Sequence, residues 1–165
     1  MRIQFDDISF EIQLRPLQSK GNEEYTIMDT GCVLGVLRRF DEVLHRLENG
    51  MLRVAILEVT LNEVREHLLR SQSALSRKGF STFGVRSGIM KLRKLLQDGR
   101  VKKIANPVIS EKALLSYKHF REDRLLAYVL FEGNYKAVAT QDKSLAKRVG
   151  EDRCMSCEQL WTNQS

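Results

Sequence analysis

Four acidic residues, Asp29, Glu63, Asp123 and Asp142, stand where short apolar runs end or where helical runs begin. Taken singly, each has an ordinary use: a helix cap, a first-turn anion favoured by the helix dipole, or one member of an i,i+4 pair. Taken together in one crevice, their charges would destabilise the fold unless protons or cations neutralised them. Hard oxygen donors favour Mg²⁺ or Mn²⁺. One or two such ions would activate a bound water and stabilise charge developing on a substrate. Asp29 is the leading ligand candidate, with Asp123 and Asp142 beside it. Glu63 would bind metal or orient the attacking water, with Glu58 as its rival and Glu122 as a spare acid. Thr30 and Thr140 are candidates to fix these carboxylates through their hydroxyls.

The elements that must carry these groups can be read from periodicity. Asp29 closes YTIMD and Asp142 follows KAVATQ, both expected to be buried strands. In an open α/β sheet ligands collect at the carboxyl ends of parallel strands, where both aspartates would point. From residue 26 onward strand and helix patterns alternate, which predicts a three-layer α/β/α sandwich around a parallel sheet. GCVLGVLRRFDEVLHRLENG predicts one helix ended by Asn49-Gly50, and LRVAIL the next strand. A helix carrying Glu63 follows, then a polar stretch, RSQSALSRKGFSTFG, and a helix in VRSGIMKLRKLLQDG. RVKKI predicts a short edge strand that Pro107 prevents from continuing. Residues 109–118 and 122–132 read as helices, SLAKRVG as a short helix and CM as the last strand. Residues 1–25 differ in kind: IQFDDISFEIQL predicts a hairpin about Asp6-Asp7, and RPLQSKGNEE a polar linker to a domain over 26–165.

The totals set bounds. At 165 residues and 42% hydrophobic content the chain suits one domain with one buried core. A net charge of +6 and a pI near 9.4 make a polyanionic partner plausible, though a basic surface also serves solubility alone. No stretch approaches the roughly 20 apolar residues that span a bilayer. The early acids of the amino terminus do not read as a secretory signal, so cytoplasmic residence is expected. Three scattered cysteines are too few for a disulfide framework. The Cys154/Cys157 CxxC lacks a second ligand pair, and Ser156 with Gln159 reads as a capping box, so these cysteines and Cys32 are expected in the core.

The motif MDTGCVLGVL around Asp29, the helix LNEVREHL with Glu63, and EDRLLAYVLFEGNYKAVATQDKSLAKRV with Asp123 and Asp142 together resemble a PIN-domain nuclease over about residues 26 to 161. The last third is the most specific part. Gly31 departs from the Asn or Ser that many members carry after the Asp-Thr pair, and the amino-terminal hairpin is an addition to the small members. The resemblance implies an α/β/α sandwich, a divalent metal held by the four acids, and cleavage of RNA.

RNA would also need cations outside the metal site. Arg65, Arg70, Arg77, Lys78 and Arg86, continued by Lys91, Arg93 and Lys94, are either a phosphate track or a solvated helix face. Arg121, Arg124 and Lys143 beside the acids are the other candidate track. Phe80, Phe83 and Tyr117 are core residues or base-stacking platforms, and His45, His67 and His119 are not spaced as a metal set. Within the PIN reading the chain is expected to be a toxin-type endoribonuclease with an antitoxin, or an enzyme processing tRNA, rRNA or mRNA, with a larger assembly or a homo-oligomer as its setting; no membrane partner is expected. The alternatives are a catalytically silent PIN-like binding or scaffolding module and a haloacid-dehalogenase-type phosphatase. The phosphatase requires a second Asp where Gly31 stands.

Overall fold

The computed structural model describes residues 2–5, 8–11, 22–77, 83–117 and 121–162. The alternating amino-terminal segment forms a hairpin, with β1 (Arg2–Phe5) antiparallel to β2 (Ile8–Glu11) as a separate two-stranded sheet. The Asp6-Asp7 turn lies outside the described residues, as does most of the linker before the short 3-10 turn at Asn22–Glu24.

Five parallel strands follow, β3 (Thr26–Met28), β4 (Val54–Leu57), β5 (Val101–Ile104), β6 (Ala137–Ala139) and β7 (Cys154–Met155), in the spatial order β5-β4-β3-β6-β7. The central strands β3 and β4 are buried at every position, as strands covered on both faces must be. β5 lies at an edge, and its Lys102 and Lys103 suit a strand with one unpaired side.

The helices are α1 (Thr30–Arg38), α2 (Phe40–Glu48), α3 (Glu58–Arg77), α4 (Phe83–Gln97), α5 (Glu111–Leu115), α6 (Arg121–Glu132) and α7 (Lys143–Val149). Strand side chains alternate between two cores. Met28, Val54, Ile56 and Ala139 pack with α1 to α4, whereas Ile27, Ala55, Leu57 and Val138 pack with α5 to α7. The expected α/β architecture, a parallel sheet between helical layers, is what the chain forms. Among the described residues no helix is long and apolar enough to cross a membrane.

Two helix boundaries differ from expectation. The single helix predicted over residues 31–50 breaks at Arg39, whose backbone leaves the helical region at φ −115°, ψ 39°. The apolar spacing Val33, Val36, Leu37, Phe40, Val43, Leu47 runs through this break without interruption, so the pattern carries no sign of it. Conversely, α3 continues to Arg77 through residues expected to be a polar connection. Gln72, Ala74, Leu75 and Arg77 all favour helix, and no glycine or proline intervenes before Gly79.

The last described segment clasps α1 and α2. A 3-10 turn at Cys157–Leu160 opens with the expected Ser156/Gln159 capping box. The Arg46 guanidinium donates to the carbonyls of Gln159 (2.9 Å) and Leu160 (2.5 Å), and Trp161 lies against Gly35, where an added Cβ would sit 2.9 Å from the indole. The cysteines correct the sequence reading. Cys32 of α1 and Cys157 form a disulfide across 125 positions with Cα atoms 5.2 Å apart, and Cys154 is left free against the opposite core. Cys154 on β7 packs with one core, and Cys157 in the turn after it packs with the other.

Candidate metal centre

The chain crosses from β3 to β4 through α1 and α2 on one face of the sheet, and from β6 to β7 through α7 on the other. β3 and β6 are neighbours, so their carboxyl ends flank the point where connections diverge and a crevice opens. Asp29 follows β3, and Thr140 and Asp142 follow β6. The Asp29 N–H donates to the Ala139 carbonyl at 3.2 Å, joining the two strand ends.

Asp29 caps α1, its Oδ1 accepting from the Cys32 N–H at 2.9 Å. Asp142 caps α7, its Oδ1 accepting from the Ser144 and Leu145 N–H groups at 2.9 and 3.2 Å. The ordinary explanation of both residues is therefore real, and it accounts for one oxygen of each. It does not account for the rest of the arrangement. The buried Thr140 hydroxyl donates to Asp29 Oδ2 at 2.5 Å and accepts from the Asp142 N–H at 3.0 Å, tying the two acids together. The Thr30 hydroxyl donates to Glu63 Oε2 at 2.8 Å, bringing α3 to the end of β3. Burial raises the Asp29 carboxyl above its ordinary 3.8. The Thr140 and Cys32 hydrogen bonds oppose this, and the nearby charges of Asp142 and Glu63 add to it. Glu63, rather than its rival Glu58, is the glutamate whose charge reaches Asp29.

Asp123 sits in the first turn of α6, and its Oδ2 accepts from Arg148 Nη1 at 3.0 Å. Sequence reading missed Arg148, which looks like a last-turn cation complementing the α7 dipole and does occupy that turn. It also missed Asn106, a buried side chain that accepts from the Val59 N–H at 2.8 Å and so secures the first turn of the helix carrying Glu63. An Asn-Pro pair after a strand was the available signal.

Asp142, Glu63 and Asp123 thus each commit one oxygen to a protein donor, and among the described residues the second oxygen has no such partner. Oxygen donors held this way suit a hard divalent cation. Among the described residues, the set of three possible donors lying within 4.8 Å of one another is Asp29, Cys32 and Cys157. Its sulfurs are joined to each other, and among the described residues no three of the four acids lie that close together.

The basic candidates are dispersed. Arg86 is exposed on α4, Lys143 is exposed beside Asp142, and Arg124 on α6 has a buried Nε with no hydrogen-bond partner. Arg70 pairs with Glu66 at 3.7 Å, and Lys91 lies over the Phe40 ring at 5.1 Å. Arg77 closes α3 and Arg121 opens α6; Lys78, Phe80 and His119 lie outside the described residues. Tyr117 donates to Glu132 at 2.8 Å and meets Tyr128 edge-on at 5.9 Å, so its ring serves packing.

No family model matches the sequence, and no curated protein matches it. The crystal structure of PAE2754 from Pyrobaculum aerophilum is similar in fold, with a TM-score of 0.63 over 86% of this chain and 94% of that one, at 18% identity.

Proposed function

We propose that this chain is a divalent-metal-dependent endoribonuclease of the PIN type, with Asp29, Glu63, Asp123 and Asp142 as the acids of its centre and RNA as its substrate. The observation that carries the reading is Thr140, which bonds both Asp29 and Asp142 at the divergence of β3 and β6. A cap needs no such bridge. A bound Mg²⁺ or Mn²⁺ would supply Lewis acidity and a more acidic water. The residues supply the rest. Thr140 and the Cys32 N–H fix the plane of the Asp29 carboxylate, and Thr30 turns one Glu63 oxygen away and leaves the other for a water. A net charge of +6 favours a polyanion, and exposed Lys143 stands next to the acids to meet it.

The reading carries cytoplasmic residence, where thiol reductants would act on the Cys32–Cys157 bond. It also carries self-association and an inhibitor protein or larger assembly as partners. The test is cleavage of a panel of structured RNAs with Mn²⁺ or Mg²⁺, run beside Asp29→Asn. Metal-dependent internal cuts that vanish in the variant support it. RNA binding without cleavage under every metal condition would instead favour a silent binding module.

A further inference from the structure

We propose that Cys32, Cys157 and Asp29 form a zinc site that opens when the Cys32–Cys157 bond is reduced. Among the described residues, these three groups have donor atoms that all lie within 4.8 Å of one another. Tetrahedral zinc, with bonds of about 2.3 Å to sulfur and about 2.0 Å to oxygen, sets its donors roughly 3.5–3.8 Å apart, so the cluster is already near the right size. What bars an ion is the bond between the sulfurs. Cys157 opens a short 3-10 turn rather than standing in a strand, so it is free to draw back by the small distance that a metal requires. Two thiolates select Zn²⁺ over the Mg²⁺ or Mn²⁺ that carboxylates alone would take. Cys32 lies in the first turn of α1, where the helix dipole favours an anionic sulfur. The oxygens of Asp29 accept from the Cys32 N–H and the Thr140 hydroxyl, which hold the carboxylate in place and leave it lone pairs for a metal. Water would complete the tetrahedron. The free thiol of Cys154 packs with the other core and stays outside the set. A dithiol reductant supplies the two electrons: exchange breaks the Cys32–Cys157 bond, the reductant leaves as its own disulfide, and its two protons pass to the cysteine sulfurs. Zn²⁺ then displaces those protons to solvent. The site shares Asp29 with the proposed hard-cation centre but does not depend on that reading.

The test compares the full chain in its bonded form and after treatment with a dithiol that is then removed, with no RNA present. Thiol counts in denaturant should rise from one to three. Titrated with Zn²⁺ against a chromophoric chelator, the reduced chain should bind one ion on the order of a hundredfold more tightly than the bonded chain. Co²⁺ in place of Zn²⁺ should give a thiolate-to-cobalt charge-transfer absorption in the reduced chain alone. Cys157→Ser should lose the tight binding, and Cys154→Ser should keep it. Asp29→Asn should keep the cobalt–thiolate absorption and bind Zn²⁺ on the order of tenfold more weakly. Circular dichroism checks each fold; if the reduced chain loses its fold, one equivalent of Zn²⁺ should restore it. A bond that the dithiol leaves intact in the folded chain, equal Zn²⁺ affinity in the two forms, tight binding lost with Cys154→Ser or kept with Cys157→Ser, undiminished affinity in Asp29→Asn, or a reduced chain that Zn²⁺ does not refold would overturn the proposal. None of these outcomes touches the nuclease reading, whose failure shows in the RNA assay.

Discussion

Thr140 has two obligations, since its hydroxyl donates to Asp29 and accepts from the Asp142 backbone. Thr140→Val keeps the shape of the side chain and breaks both bonds, stranding a half-buried carboxylate and an N–H. Unfolding in urea should show a loss of about 1–3 kcal/mol. Thr140→Ser should restore most of it; a stable Thr140→Val beside a destabilised Thr140→Ser would mean that the methyl group, rather than the hydroxyl, is what matters. Asp29 gives a pH prediction for the ion-free protein. Its folded carboxyl lies above the ordinary 3.8, mainly through burial and further through Asp142 and Glu63, so the fold favours its protonated form. Its contribution to stability is whole below the unfolded value and is lost as pH rises through the raised folded value. Denaturation measured with a chelator from acid to neutrality should show that Asp29→Asn removes this loss and is the more stable protein at neutral pH. A difference between the two proteins that did not vary with pH would contradict the shift. The Thr140–Asp29 contact was legible because both residues stand at the ends of strands expected to be buried. Arg148 was not, because a basic residue in a last helical turn already has a local explanation.

At the scale of elements, the carboxyl-terminal clasp is a distinct stabilising device. Cys157, Arg46 and Trp161 fasten one short segment to α1 and α2, and the disulfide closes nearly the whole domain into a loop. Bonds that close long loops restrict the unfolded chain most, so reduction, or Cys32→Ser, should cost about 2–5 kcal/mol in equilibrium denaturation. An identical midpoint with and without a thiol reductant would show that the pair contributes nothing. The sole tryptophan, Trp161, offers a second readout, because it reports the docking of α1 through its fluorescence. Strands and helices were legible from alternation and three-to-four spacing. The Arg39 break was hidden by an unbroken apolar stripe, and the Cys32–Cys157 pairing by a nearer cysteine that the sheet turns toward the other core.

For the molecule as a whole, if RNA is the substrate as proposed, the net charge of +6 predicts an affinity that falls steeply with salt. Lys143→Ala should lower the slope of log affinity against log salt by about 0.7 per lost phosphate contact on a single strand, whereas Arg86→Ala should leave it unchanged if the polyanion lies beside the acids. The reverse pattern would move the track to α4. Strand order was the least legible feature of the fold, since nothing local to YTIMD says that it pairs with KAVAT. That distant pairing also governs when the crevice comes into being. β3 meets β4 at Val54, soon after its own synthesis, but meets β6 only at Ala137, once most of the chain has been made. Until then one edge of β3 is open, and Asp29 has neither Thr140 nor Asp142 beside it. A ribosome-bound chain therefore carries Asp29, Glu63 and Asp123 with their strand ends unjoined until residues 137–142 have emerged. Synthesis of β6 is the step that first sets Thr140 and Asp142 beside Asp29.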